Sequence, residues 1–413
     1  MAQLKKPYYD LCGIEENFLS LYGETTDYQK SRYTDAFDKF KGDFGVDCAY
    51  VASSSGRVEV CGNHTDHNGG KVLSCAISLD TLAMFLPSDS GVIHIKSQGY
   101  DDIIVDLNGE ESEKIGTSAA LVRGVAVAAK NKGYKVGGFI AYFTSNVLGG
   151  AGISSSASFE VLVCEILNFL YNNSKISKQE KAVISQFSEN VYFGKPCGLL
   201  DQTAIAFGGL KMLDFSNKGE IGVTEIDNAL KDYTFVLINT GGSHADLTDE
   251  YAAVPAEMFS VAAKMGVERL IDLKKEEFFN KLPSVDVCDR AVLRAIHFYE
   301  ENERVETACK ALNSNDIDTF LKAVSGSGVS SLCKLQNCYV SGSSVQSIPK
   351  ALSISANYLN GGVNRVHGGG FAGSILNIVK TENLQLFIDA MSKYFDREDI
   401  IPLKVRSLGT IVL

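Results

Sequence analysis

The stretch that most constrains the fold is Leu148–Ser158, "LGGAGISSSAS". Glycines at 149, 150 and 152 permit a tight backbone path, and the serines run directly into an apolar-periodic segment. In that segment, Ala157–Tyr171, the residues Phe159, Leu162, Val163, Ile166, Leu167 and Leu170 recur at helical spacing, and Val161 and Cys164 widen the face. The segment just before, Gly137–Val147, reads as a strand. A strand, a Gly/Ser turn and a well-buried helix therefore follow one another. The N-terminus of such a helix presents free N–H groups and the positive end of its dipole, which suits a polyphosphate. The competing reading is a flexible turn with a serine N-cap. The turn is neither a Walker A loop, which would end Gly-Lys-Ser/Thr, nor a Rossmann G-x-G-x-x-G.

The rest of the chain mixes the two kinds of element. Val92–Ile95, Ile103–Leu107, Leu210–Phe215 and Tyr233–Thr240 read as strands. Helices are expected over Ile115–Lys132, Ser177–Tyr192, Val285–Leu312, Ile317–Val324, Val345–Leu359 and Leu384–Tyr394. Ser177 and Glu180 have capping-box spacing. Without steady βαβ alternation, an α+β fold is expected rather than a Rossmann sheet. At 413 residues the chain is too long for one ordinary core, so an N-terminal domain over 1–225 and a C-terminal α+β domain over 226–413 are expected.

The net charge of −11 opposes long-range attraction to nucleic acid or an anionic membrane, and neither is expected as a partner. No apolar run is long enough to span a bilayer. The ten cysteines contain no C-x-x-C, so free thiols, a cytoplasmic location and no structural metal are expected. For oligomeric state the expectation is a monomer.

Three further segments carry candidate chemistry. In "GRVEVCGNHTDHNGG" (56–70), Arg57, Glu59 and Cys61 fall on one strand face, before a turn crowded with Asn63, His64, Asp66, His67 and Asn68. In "CGLLDQTA", Asp201 sits between apolar residues and needs a partner; a helix N-cap is the plainer reading. Glu189, on the preceding helix, reads equally as a solvated carboxylate. "VHGGGFAGSILNIV" (366–379) is a glycine turn opening a strand, either a wall of a site or only a tight turn.

Together these segments resemble the galactokinase branch of the kinases that act on galactose, homoserine, mevalonate and phosphomevalonate. The family signature runs Gly-Arg-Val-Asn-hydrophobic-hydrophobic-Gly-Glu-His-Thr-Asp-Tyr-Asn-Gly-Gly, against "GRVEVCGNHTDHNGG" here. Its Gly-x-Gly-Leu-Ser-Ser-Ser-Ala-Ser appears as "GAGISSSAS", its CGIMDQ as "CGLLDQ", and its closing Gly-Gly-Gly-Phe at Gly368–Phe371. The motifs keep their order over nearly the whole chain. The resemblance implies a two-lobed α+β fold and transfer of the ATP γ-phosphoryl group to the anomeric hydroxyl of a galactose-like sugar in the cleft between lobes. It makes Asp201 the catalytic carboxylate and Arg57 its partner. It gives Gly150, Ala151, Gly152, Ile153, Ser154, Ser155 and Ser156 to the phosphates, and Ser156 and Glu189 to Mg2+. Asn63, His64, Asp66 and Tyr251 become sugar-binding residues.

Departures from the pattern bear on the sugar. Asn63 stands where the family's Glu hydrogen-bonds the C6 hydroxyl, His67 replaces a Tyr, His367 replaces Thr or Ala, and Ala252-Ala253 replace Arg-Arg. A neutral residue at 63 would tolerate a C6 carboxylate, so galacturonate is the first alternative to galactose. N-acetylgalactosamine is another. A non-catalytic sugar and ATP sensor is a third, against which Ser156-Ala157 and Asp201 are both retained.

Overall fold

The computed structural model describes residues 9–227, 229–241 and 247–413. Among the described residues twelve strands form two sheets. The first sheet contains β1 (Tyr50–Cys61), β2 (Lys71–Ser88), β3 (Val92–Ser97), β4 (Ile103–Asp106), β5 (Gly138–Ser145), β6 (Leu210–Asp214) and β7 (Gly222–Glu225). The second contains β8 (Tyr233–Asn239), β9 (Val363–Val366), β10 (Ser374–Lys380) and β11 (Ile400–Leu403). The last strand, β12 (Ile411–Val412), returns to pair with β1. The first sheet runs β12-β1-β2-β5-β3-β4 and the second β11-β8-β10-β9, with antiparallel pairing except between β3 and β5. The fold is α+β.

β2 organises the first sheet. Its eighteen residues pair with β1 along most of their length, while Lys71–Cys75 also pair with β6 and Thr81–Ser88 with β5. β1 is buried throughout, because helices cover one face and the second sheet's core approaches the other. Register shifts between Ser55 and Arg57 and between Glu59 and Cys61 interrupt its pairing with β2, the irregularity expected of β-bulges.

The helix Ser155–Asn172 lies against the first sheet. Leu162, Val163, Ile166 and Leu167 enter a core with Phe85, Ile93, Phe139 and Phe143, as the periodicity requires. A second core joins Val58, Val60 and Leu73 of the first sheet to Leu237, Leu376 and Ile378 of the second and to Val305 and Phe320 of the helices Asp289–Asn313 and Ile317–Ser330. The site lies where these bodies meet. Elsewhere, buried Asp80 accepts from Tyr22 Oη (2.7 Å), Arg32 Nη1 (2.5 Å) and Ser53, with Arg406 Nη1 at 3.6 Å. It ties the N-terminal helices and the C-terminal segment to the first sheet.

The capping box at Ser177 is present, and the helix Lys178–Phe187 follows it. All ten cysteines are free, and among the described residues no helix is long and apolar enough to cross a membrane.

Candidate active site

The Gly/Ser loop turns its carbonyls inward. Ala151 O accepts from Ser374 Oγ (2.7 Å), Gly152 O from Arg57 Nη1 (2.5 Å) and Ile153 O from the Arg57 N–H (3.2 Å). In a trans peptide N–H and C=O point opposite ways, so the N–H edge of this turn faces away from those partners. Gly150 and Gly152 have φ of 79° and 73°, which their lack of a Cβ permits. Ser154 takes the same left-handed region (φ 64°), a strained conformation for a serine. It precedes the helix without capping it, so the simple serine N-cap is not the structure formed. Its Oγ donates instead to Asp201 Oδ2 at 2.5 Å.

Asp201 occupies the first turn of the helix Leu200–Phe207, not its N-cap. Arg57 Nε and Nη2 both reach Asp201 Oδ1 at 2.7 Å. Burial pushes the Asp201 carboxyl up, but Arg57, Ser154 and Lys195 outweigh it and hold the carboxyl below its ordinary value. The group is thus an ionised carboxylate at the end of the Gly/Ser loop. Ser156 Oγ donates to Glu189 Oε1 (2.8 Å), and Glu189 also accepts from Gln202 Nε2 (2.8 Å) and Lys195 Nζ (3.1 Å). Glu189 is buried rather than solvated.

The polar turn after β1 meets the closing glycines. Asn63 Nδ2 donates to Gly368 O (2.7 Å), His64 Nε2 to Gly369 O (3.0 Å) and Tyr251 Oη to Gly370 O (2.7 Å). Burial above all lowers His64 to about 4, so it is neutral and carries its proton on Nε2. Burial first, then the nearby Asp201 charge, raises Asp66 to about 6. Asp66 lies against Gly198, where a Cβ would collide with its carboxylate. His367 Nε2 accepts the Glu59 N–H at 3.2 Å.

One expectation needs correction. Asn63 does not present its amide to an open sugar pocket. It has no exposed surface, and its Oδ1 accepts from Asn337 Nδ2 (2.8 Å) and Ser331 Oγ (3.3 Å). The remaining candidates converge: Arg57 and Ser154 both bond Asp201, Ser156 pairs with Glu189, and His64 and Tyr251 flank the closing turn. Sequence reasoning missed Asn337, Arg365, Lys195 and Gln202. Gln202 alone had a signal, since it adjoins Asp201 in "LLDQ". A cavity of about 360 Å3 lined by Glu250, Arg290, Cys333, Gln336 and Phe371 includes none of these candidates, so chemistry rather than volume marks the site.

A family model for the galactokinase galactose-binding signature matches residues 38–87, and one for the N-terminal domain of GHMP kinases matches residues 120–209. The chain is 30% identical to a galactokinase of Clostridium tetani over 354 residues, 83% of this chain and 87% of the relative. It is also 30% identical to a galactokinase of Clostridium beijerinckii over 84% of this chain and 89% of the relative. The crystal structure of Lactococcus lactis galactokinase complexed with galactose superposes with a TM-score of 0.77 at 23% identity, covering 98% of this chain and 100% of that one. Methanococcus jannaschii mevalonate kinase shares the fold with a TM-score of 0.61 at 15% identity, over 86% of this chain and 98% of that one.

Proposed function

The chain belongs to the galactokinase family and is an ATP-dependent sugar kinase, and from that premise we propose how its residues phosphorylate galactose at the C1 hydroxyl. The galactokinase relatives favour galactose over galacturonate, N-acetylgalactosamine or a sensor role. The enclosure of Asn63 also removes the charge argument on which galacturonate rested. The observation that carries the reading is Asp201, ionised, paired with Arg57 and bonded to Ser154 at the end of the phosphate loop.

Phosphoryl transfer needs positioning and charge neutralisation more than covalent help. We assign the N–H edge of Gly150–Ser156 and the start of the helix Ser155–Asn172 to the ATP phosphates. The C1 hydroxyl sits against Asp201. As its oxygen bonds the γ-phosphorus, the bond from that phosphorus to the bridging oxygen breaks, ADP leaves, and the hydroxyl proton passes to Asp201. Arg57 keeps Asp201 charged and offsets charge developing on the transferring group. His64, Asp66 and Tyr251 receive the remaining sugar hydroxyls.

A serine hydroxyl beside a buried carboxylate at a helix N-terminus is a hard-oxygen pair that fits Mg2+, which takes few protein ligands and completes its shell with water and phosphate. Ser156 and Glu189 would hold it, and it would neutralise the phosphates. Residues 9–225, with the sugar motif, loop and Asp201, form one working lobe in this reading, and β12 joins its sheet from the C-terminal end.

The test is ADP release with galactose, galacturonate, glucuronate, N-acetylgalactosamine and arabinose. Galactose turnover above the rest is expected. Sugar binding with no turnover of any of them would overturn the assignment.

A further inference from the structure

Asn63 centres a hydrogen-bonded unit that joins distant segments. Its Nδ2 donates to Glu59 Oε1 (2.8 Å) and Gly368 O (2.7 Å), and its Oδ1 accepts from Asn337 and Ser331. A primary amide has two N–H groups and two lone pairs, so its capacity is used within the protein. The Glu59 carboxylate also takes Arg365 Nη2 at 3.0 Å, and the Glu59 N–H is held by His367. Residues 367 and 368 of the closing turn therefore hang on residues 59 and 63. That turn borders the phosphate loop. A Cβ on Gly368 would lie 3.5 Å from Gly152 O, the oxygen that anchors Arg57.

Against the family signature, these two positions carry reciprocal changes. Glu59 stands for Asn, and Asn63 stands for Glu. Each position carries the residue type that the signature has at the other, and in this chain the carboxylate and the amide are in contact. A carboxylate at 63 beside an unchanged Glu59 would set two anions at the present 2.8 Å contact. It would also face the Gly368 carbonyl and lie near Glu301, whose Oε1 already accepts the Asn63 N–H at 3.4 Å.

We propose that Glu59 and Asn63 are a matched pair of positioning residues that fix the closing turn, and through it the phosphate loop and Arg57, and that Asn63 is not a sugar ligand. The proposal rests on the sugar-kinase reading above. It separates position 63 from substrate choice and gives it to the geometry of transfer.

The test is a double-mutant cycle of N63E, E59N and E59N/N63E, with Asn63→Ala alongside, read by thermal melting and by kinetics with galactose and ATP. N63E should melt lower, and E59N/N63E should recover about tenfold or more of the kcat lost in N63E, together with part of the melting temperature. Asn63→Ala should lose about tenfold in kcat with galactose KM held within about threefold, the signature of misplacement rather than lost sugar contact. Additive effects around the cycle, or a raised galactose KM at unchanged kcat in Asn63→Ala, would overturn the proposal. If N63E alone does not fold, a folded double variant still demonstrates rescue, and an unfolded one refutes it. Failure of the wild-type protein to use galactose would instead refute the sugar-kinase reading, while the melting cycle would still test the pair.

Discussion

Replacing Arg57 by Met keeps much of the buried stem and removes the charge from Asp201. The Arg57 side chain is 7% exposed and the Asp201 side chain 26%. The variant loses two contacts of 2.7 Å to Asp201 and one of 2.5 Å to Gly152 O. Breaking a fully buried pair costs about 3–5 kcal/mol, and the partial exposure of Asp201 lets water replace some of it, leaving about 2–4 kcal/mol. Expressed on the barrier, that is a fall of about 30- to 1,000-fold in kcat/KM. The pH dependence has a definite sign. In the native protein Asp201 ionises below its ordinary 3.8, so its charge contributes stability above pH 3.8 that is lost as the pH falls through the lower folded value. Without Arg57, burial dominates, the folded value rises, and that contribution is lost. The acid limb of kcat/KM should move to higher pH. The assay is galactose-dependent ADP release from acid to neutral pH, with melting curves alongside. Activity within about threefold of wild type, with the acid limb unmoved, would refute the assigned role of Arg57.

Asp66→Asn should melt higher at neutral pH, because a carboxyl raised from 3.8 to about 6 loses native stability as the pH rises through that window. The same variant should raise galactose KM by about tenfold or more, since a charged acceptor is lost, and wild-type kcat/KM should fall as the pH drops through about 6. Gly370→Ala should lower both melting temperature and kcat: φ is 81°, its Cβ would collide with Asn337 O, and the left-handed backbone alone costs about 1–2 kcal/mol. Asp80→Ala should destabilise by about 3–5 kcal/mol in chemical unfolding, because Arg32 and Arg406 lose their buried counter-charge, while galactose KM of the folded protein stays unchanged.

Periodicity made much of the fold legible. The helix Ser155–Asn172 and strand β8 lie within about two residues of their expected bounds, because each buries one continuous apolar stripe. β2 was not legible. Burial on both faces over much of its length erases the two-residue alternation that marks a half-exposed strand. The helix Thr248–Lys264, which carries Tyr251, was masked by Pro255 inside it. At the site, residue types signalled Arg57, Asp201 and the Gly/Ser loop. The enclosure of Asn63 was hidden, because its partners Gly368 and Asn337 are remote in sequence. Lys195 was hidden for the same reason: nothing local distinguishes it from any exposed lysine until Glu189 is beside it.

Phosphorus-proton NMR of the product formed by the wild-type protein from ATP and galactose tests the central claim most directly. Coupling of the new phosphate to the anomeric proton, with ADP released in equal amount, is the predicted result. Coupling to the C6 protons, or ADP release with no phosphorylated sugar, would contradict it.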